Sequence, residues 1–361
     1  MVANEIKTTE KEVNTFDVKS TTLVSRRRRV TLPQWATAWL VLIPALIFLC
    51  LFMFYPIINT FLDAFIMDFK YIKGGGSLAI GQFISGVSQG KKFAFGFGNF
   101  AEALQYPDFI QSILNTGILV IIEVPLTIIV SLLIATFLNN IKVLKGFYQT
   151  IFFLPYVTNA IALGLVFNIA FSNTEGGLIN ILLKNVFGVE QPINWLIYDK
   201  QSILPFQDHA SRFSQGVVIV TYSLWNGIAF KILVFMSGLA TIDSQYYNAA
   251  KIDGASGFTI WRRITLPLLS PQILYITITS FIGSFKMYSG VMAVYTEGNG
   301  AYWFGGEKGE DWMPVVGWIY RELEKHYDTP GVAAAASLIL LAIIMVITAV
   351  QFAVSKKRVH Y

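Results

Sequence analysis

The chain has 361 residues, of which 54% are apolar and 14% are charged, and its mean hydropathy is +0.56. Soluble domains carry roughly 25% charged residues, so this composition excludes an ordinary soluble domain and indicates a membrane protein. The formal charge of +5 does not indicate nucleic-acid binding, because the basic residues are scattered beside apolar runs and form no stripe with stacking aromatics. Cys50 is the single cysteine, which excludes an internal disulfide or a cysteine-based metal cluster.

Residues 1–34 are rich in Lys, Glu and Thr and are predicted to form a polar cytoplasmic tail. Six apolar stretches follow, each long enough to cross about 30 Å of hydrocarbon. They lie at approximately 36–58, 112–137, 149–171, 216–240, 272–293 and 332–354. The first is too long for a signal peptide and no small-residue cleavage site follows it. The sequence therefore predicts an all-α polytopic membrane protein, with one transmembrane domain of six helices over residues 35–361.

The basic residues predict the orientation of these spans. They cluster at four places: Arg26–Arg29 before the first span, Lys142 and Lys145 after the second, Lys251, Arg262 and Arg263 after the fourth, and Lys356, Lys357 and Arg358 after the sixth. With six spans, all four places fall on one side of the membrane. Because short cytoplasmic connections carry an excess of Lys and Arg, we expect this side, with both termini, to be cytoplasmic.

The cytoplasmic connection at 243–271 has the pattern of a folded element. Asp243 or Ser244 is expected to cap a helix that Gly254 ends in the left-handed conformation. A second helix carries Ile260, Trp261, Ile264 and Leu268 on one apolar face. Ser270 and Pro271 form a cap and a first-turn proline, which predicts that the fifth span begins there. Ala249 and Ala250 are expected to leave a shallow notch on the first helix.

The stretch "NAAKIDGASGFTIWRRITLP" at Asn248–Pro267 resembles the EAA loop of carbohydrate-type ABC importer permeases, the maltose and glycerol-phosphate family. The matching positions are Asn248, Ala249, Ala250, Asp253, Gly254, Ala255, Ile264 and Pro267. The resemblance implies the type I importer permease fold and a loop that inserts as a coupling helix into a cleft of the ATPase subunit. Asn248 stands where the family usually has Glu, and an amide can donate a hydrogen bond but cannot form a salt bridge.

Weaker similarity to these permeases extends along much of the chain, at Asn99–Thr116, Leu144–Phe167, Asn194–Leu196 and Thr296–Gly300. The resemblance implies a second homologous permease, two nucleotide-binding ATPase subunits and an extracellular or periplasmic substrate-binding protein, in a bacterial cytoplasmic membrane. "GVSQGKK" at Gly86–Lys92 departs from a phosphate-binding loop in its glycine spacing and lacks the following Ser or Thr. We therefore expect no cofactor in this chain, with ATP and Mg²⁺ bound by the partner subunits.

Three ionisable residues lie inside apolar runs, namely Glu123, Lys231 and Lys286. Such residues usually face a cavity or pair with one another, so they predict either a polar translocation pathway or an intramembrane ion pair. Lys286 can alternatively extend toward the external surface.

By resemblance, the sugar-facing positions of the family fall on Ser223, Asn226, Gly227, Phe230, Gly283, Ser284 and Met287. Met287 replaces a polar amide there. Tyr222 and Trp225 add aromatic faces in the same span, and the alternative for both is helix packing or an interfacial belt. Together with Glu123, Lys231 and Lys286, these positions form the expected substrate pathway, and the family implies a sugar or oligosaccharide as substrate.

Other functions remain open at this point. A polyol, a glycerophosphodiester or a saccharide-linked precursor can replace the sugar in an importer of this kind. A stand-alone channel or secondary carrier can also have six spans, but it does not need a docking loop. An intramembrane enzyme needs clustered His, Cys or carboxylate side chains at membrane depth, whereas His209, His326 and His360 lie outside the spans and Glu123 is the single acid expected within them.

Overall fold

The computed structural model describes residues 33–67, 87–88, 91–92, 94–141, 143–172, 175–193, 195–196, 207–295, 312–326 and 330–355. Several residues used above lie outside these ranges: Arg26–Arg29, Lys142, Asn194, Thr296–Gly300, Lys356–Arg358, His360 and nearly all of the polar tail. The chain forms two compact units, Met1–Pro56 and Ile57–Tyr361.

The described part of the first unit is helical. Helix α1 covers Gln34–Leu49, and a π-helical turn follows at Cys50–Phe54. Nearly all of its side chains are exposed, including large apolar ones such as Trp39 and Phe52. This is the surface expected of a helix that faces lipid.

The second unit holds the remaining elements. Its first part contains α2 (Tyr55–Phe65, which begins at the end of the first unit), β1 (Ile66–Met67), β2 (Val87–Ser88), β3 (Lys91–Lys92), β4 (Ala94–Phe95), α3 (Gly98–Gln105), α4 (Pro107–Asn140), α5 (Lys145–Val157), α6 (Ala160–Ala170) and α7 (Leu178–Phe187). Its second part contains α8 (Gln207–Thr241), α9 (Ser244–Ile252), α10 (Gly257–Ile260), a π-helical turn (Trp261–Thr265), α11 (Leu266–Leu268), α12 (Ser270–Phe285), α13 (Ser289–Val294), α14 (Val315–Lys325) and α15 (Gly331–Ser355). The short strands pair antiparallel, β1 with β4 and β2 with β3.

Within the described ranges, four helical stretches are long and apolar enough to cross a membrane: Trp35–Phe65, Pro107–Asn140, Phe213–Thr241 and Gly331–Ser355. Two bent pairs raise the number to six if each pair is one span: Gly146–Val157 with Ala160–Ala170 at 98°, and Gly257–Leu268 with Ser270–Phe285 at 66°. The first, second, fourth and sixth predicted spans are therefore continuous helices. The first runs on to Phe65, which places Asp63, a second buried acid, in the helix and makes the prediction of a single acid wrong.

The third predicted span, 149–171, is not one straight helix. Helix α5 ends at Val157, where Thr158 takes an extended conformation, and the Asn159 side chain caps α6 by accepting a hydrogen bond from Ile161 N at 2.8 Å. A side-chain cap satisfies one of the free N–H groups that every helix start exposes. Apolar residues flank Thr158 and Asn159 on both sides, which explains why the pattern alone predicted a single span.

The fifth predicted span, 272–293, is also interrupted. Helix α12 ends at Phe285, residues Lys286–Tyr288 are non-helical, and α13 begins at Ser289. Helix α12 alone has 16 residues, or about 24 Å at 1.5 Å per residue. The expectation that Ser270 caps this helix is wrong, because Leu269 occupies the cap position and the Ser270 hydroxyl has no hydrogen-bond partner among the described residues.

The core of the second unit lies between a few long helices. Helix α4 packs along α8 and against α12 and α14, while α6 packs against α13. The largest fully buried side chain, Trp318 of α14, contacts the ring of Phe109 at a centroid distance of 4.7 Å. This packing leaves polar side chains of α4, α8 and α12 facing a common space.

Candidate functional site

A cavity of about 550 Å³ lies between α4, α8, α12 and the two helix breaks. It is lined by Glu123, Tyr156, Thr158, Ala160, Tyr222, Ser223, Asn226, Gly227, Phe230, Lys231, Thr279, Ser280, Gly283, Ser284, Lys286, Met287, Tyr288, Ser289 and Gly290. All of the residues expected on the substrate pathway therefore line one cavity, apart from Trp225. Trp225 lies on the same helix but is 43% exposed and is absent from the wall.

The acid and one lysine of the cavity interact within the wall. The Ser284 hydroxyl donates to Glu123 Oε1 at 3.3 Å, and the Lys231 ammonium donates to the Gly227 carbonyl at 3.2 Å. Glu123 and Lys231 interact electrostatically, but they form no ion pair within 4.0 Å. A side chain at position 227 would come within 3.0 Å of the Lys231 ammonium, so glycine leaves the space that the lysine occupies.

Glu123 keeps one oxygen free. The residue is 7% exposed, and its Oε2 atom has no hydrogen-bond partner in the described part of the chain. A buried acceptor without a partner costs about 1–3 kcal/mol. Glu123 therefore lines the cavity with an acceptor that lacks a donor, and its covered Oε2 atom becomes reachable for a substrate hydroxyl when the neighbouring side chains move.

Aromatic rings form two parts of the wall. Tyr156 stacks on Phe230 with centroids 5.8 Å apart, next to the α5–α6 break. Tyr288 stacks on Tyr320 of α14 at 4.4 Å and an interplanar angle of 10°. Tyr222 is buried and donates from its hydroxyl to the Ala160 carbonyl at 3.2 Å, which fixes its ring against the break.

Both helix breaks border the cavity. Thr158 and Ala160 lie at one break, and Lys286–Tyr288 form the other. Non-helical backbone at membrane depth is tolerated where protein buries it or where it lines a water-filled cavity. Tyr156, Thr158, Tyr288 and Ser289 were not expected on the wall, because the breaks that bring them there were not predicted. The local signals of the first break are Pro155 and the cap residue Asn159.

The segment 243–271 has the local structure expected from its sequence. The Asp243 side chain accepts a hydrogen bond from Gln245 N at 2.9 Å and begins α9. Gly254 has φ +71°, and the bonds from Ala255 N to Ala250 O at 2.9 Å and from Gly254 N to Lys251 O at 3.1 Å complete a Schellman motif. The two short helices thus meet at the predicted Asp253–Gly254 bend.

The segment is attached to the helices that line the cavity. Trp261 donates from Nε1 to Thr136 Oγ1 of α4 at 3.3 Å and packs in the same apolar cluster as Leu239 and Leu269. Tyr247 of α9 lies 3.3 Å from Thr265, hydroxyl to hydroxyl. Displacing this segment would therefore act directly on α4, which carries Glu123, and on the end of α8.

The outer surface of the segment is partly apolar. Ile252 is 86% exposed, and Tyr246 and Phe258 are also exposed. Asn248, Ala249, Asp253 and Gly254 lie on this accessible surface, whereas Ala255 and Ile264 are half-buried and Pro267 is exposed. Ala250 is buried, so the notch expected from both alanines is open only at Ala249.

Comparison with known proteins identifies the family to which this chain belongs. The profile of the family described as "Binding-protein-dependent transport system inner membrane component" matches residues 94–360. The chain belongs to this family of inner-membrane permeases. Its curated relatives include the lactose transport system permease protein LacF of Rhizobium radiobacter, 28% identical over 89% of this chain and 94% of that protein. They also include the arabinooligosaccharides transport system permease protein AraP of Bacillus subtilis (strain 168), 29% identical over 89% of this chain and 88% of that protein.

A solved structure agrees on the fold. In the crystal structure of a bacterial alginate ABC transporter in complex with an alginate pentasaccharide-bound periplasmic protein, one chain matches with a TM-score of 0.67 at 18% identity. The match covers 89% of this chain and 94% of that chain. The permease is thus an all-α, polytopic transport subunit that works in a transporter complex with a substrate-binding protein. Its described residues contain no group of three or more His, Cys, Asp or Glu side chains arranged to hold a metal ion.

Proposed function

We propose that this permease moves a sugar or oligosaccharide inward across a bacterial cytoplasmic membrane through the cavity between α4, α8 and α12. It acts with a second homologous permease and two ATPase subunits, which bind ATP and Mg²⁺, and it receives substrate from an external binding protein. Both termini and the segment 243–271 lie in the cytoplasm. This chain supplies the pathway and the coupling surface and holds no cofactor of its own.

The observation that carries the proposal is the make-up of the cavity wall. Saccharides present hydroxyl edges and apolar C–H faces, and the wall combines the Glu123 acceptor and the Asn226 amide with the faces of Tyr156 and Phe230. Its volume of about 550 Å³ lies within the 300–1,000 Å³ typical of small-molecule sites. The relatives named for lactose and arabinooligosaccharides support the same substrate class.

The attachment of segment 243–271 to the cavity helices supports a role in coupling transport to ATP hydrolysis. The exposed surface at Ala249, Ile252 and Phe258 docks on the ATPase subunit. When the ATPase subunits close, the segment moves as one unit, since the Tyr247–Thr265 contact joins its two arms to each other and the Trp261–Thr136 hydrogen bond joins it to α4. The cavity helices then tilt and open the cavity outward, and hydrolysis restores the first state.

The test is a mild-detergent purification of the tagged chain from its native membrane, with identification of every protein recovered in stoichiometric amount. We expect an ATPase, a second permease and a binding protein. The complex is then reconstituted in liposomes, and uptake of neutral oligosaccharides, polyols and glycerophosphodiesters is compared with ATP present and absent.

Recovery of the chain alone, or uptake without ATP, would overturn the proposal in favour of a channel or secondary carrier. ATP-dependent uptake of a polyol or glycerophosphodiester, with no saccharide taken up, would retain the importer and refute the sugar assignment.

A further inference from the structure

The charged side chains of the cavity do not balance. Among the described lining residues, Glu123, Lys231 and Lys286 carry the charges, which gives a formal sum of +1. Glu123 and Lys231 interact electrostatically, and their side chains are hydrogen-bonded to Ser284 and to the Gly227 carbonyl, respectively. The formal charge of Lys231 cancels that of Glu123 without an ion pair between them, and Lys286 is the one charge left over among the described lining residues.

Among the described residues, the Lys286 side chain has no partner. Lys286 follows the last residue of α12 and is exposed, and its ammonium forms no hydrogen bond or ion pair with any described residue. On the same stretch of wall, the hydroxyls of Ser280 and Ser289 also have no protein partner within the described ranges. As far as the chain is described, this part of the wall offers several hydrogen-bond donors and one full positive charge, and no carboxylate lines it.

An ammonium group prefers an anionic acceptor to a neutral hydroxyl. Hydrogen bonds between ionised partners are roughly twice as strong as neutral ones, and a partly enclosed site screens them less than open water does. Glu123, in contrast, suits the neutral hydroxyls of a saccharide. The two sides of the cavity thus fit different parts of one molecule.

We propose that Lys286 binds an anionic group, a carboxylate or a phosphate, carried by the transported saccharide, and that it makes this permease selective for acidic saccharides. The inference rests on the proposed function, because it takes the saccharide class as given. A different role for Lys286 is stabilisation of the α12 C-terminus, where a cation interacts favourably with the helix dipole. That role predicts a loss of stability but no change in selectivity.

The test measures equilibrium binding to the purified complex in lipid nanodiscs, without the binding protein. The three probes are a glucuronate-terminated disaccharide, its uncharged methyl ester and a disaccharide phosphate of the same size. We expect the wild type to bind whichever anionic probe it prefers at least about tenfold more tightly than the methyl ester. One hydrogen bond to a charged group contributes about this factor in affinity. The preference falls as salt is added.

Lys286→Gln should bind all three probes with nearly equal affinity, at an unchanged melting temperature. Lys184→Gln is the matched control, because Lys184 is an exposed lysine of α7 that is absent from the cavity wall; it should keep the preference. The stronger of the two anionic probes identifies the group as carboxylate or phosphate.

Equal binding of all probes by the wild type would refute the assignment of Lys286 while leaving the saccharide proposal intact, as would a preference that survives Lys286→Gln. If none of the saccharides binds, the proposed substrate class fails and this inference fails with it.

Discussion

At the scale of single residues, the cavity contains side chains already bonded to protein and side chains left free for a substrate. Asn226 belongs to the second group, because it lines the cavity and its amide forms no hydrogen bond with a described residue. Asn226→Ala should lower ATP-dependent uptake roughly 2- to 10-fold, as expected for the loss of one hydrogen bond. Copurification of the partner subunits should stay at the wild-type level.

Asn185→Ala, on the exposed surface of α7, is the control for this change and should leave uptake intact. Unaltered transport kinetics in Asn226→Ala would move the substrate contact to another part of the wall.

Gly290 packs closely against Tyr222, which allows a second prediction at the residue scale. A Cβ atom at this position would overlap the Tyr222 hydroxyl and ring, and the Tyr222 hydroxyl bonds to the Ala160 carbonyl. Gly290→Ala should therefore destabilise the packing of α6, α8 and α13 by about 1–3 kcal/mol, the usual cost of overpacking. The melting temperature of the purified complex measures this loss. Tyr222→Ala/Gly290→Ala should be more stable than expected from the two single variants, and strict additivity would contradict the contact.

At the scale of elements, the bend of segment 243–271 depends on the left-handed backbone at Gly254. A Cβ atom at this position would meet no other atom within 4 Å, so a substitution is disfavoured by its backbone conformation and not by crowding. Gly254→Val should cost about 1–3 kcal/mol locally and distort the bend. We expect it to lower uptake much more than ATP hydrolysis, while membrane insertion is retained.

Gly254→Asn is the informative control, because asparagine tolerates the left-handed conformation and should retain most coupling. Full uptake in Gly254→Val would refute the coupling role of this bend. Ala250→Arg is a less specific probe of docking, since Ala250 is buried within this chain; Ala249→Arg alters the accessible surface instead.

The elements differ in how well the sequence predicts them. Segment 243–271 was predicted closely because its signals, the Asp243 cap and the Gly254 turn, act on backbone groups within about one helical turn. The breaks at Thr158–Asn159 and Lys286–Tyr288 were not, since each interrupts its apolar run by only two or three residues, and tertiary packing decides whether so short an interruption ends a helix. The Tyr288–Tyr320 stack joins residues far apart in sequence and leaves no local pattern. The convergence of the pathway residues followed from the family resemblance and not from periodicity.

At the scale of the whole molecule, the two bent pairs decide the topology of the chain. If both cross, the chain has six spans, and the first part of segment 243–271, with α9, lies on the side opposite α7 and α14. If both only dip into the membrane and return, four spans remain, and the segment lies on the external side with α14. The exposed basic residues Lys251, Arg262 and Arg263 favour the six-span arrangement, because basic connections remain cytoplasmic.

Single-cysteine labelling separates these arrangements, because replacing Cys50 by Ser removes the one native thiol. Cysteines are then placed singly at three exposed lysines: Lys184 of α7, Lys251 of α9 and Lys325 of α14. With six spans, a membrane-impermeant maleimide should label positions 184 and 325 in intact spheroplasts and position 251 only after permeabilisation. With four spans, position 251 should be labelled in intact spheroplasts and position 184 only after permeabilisation, while position 325 is labelled in both cases as before. External labelling at 251 would place the segment where no ATPase can reach it, and would refute the coupling mechanism together with the topology.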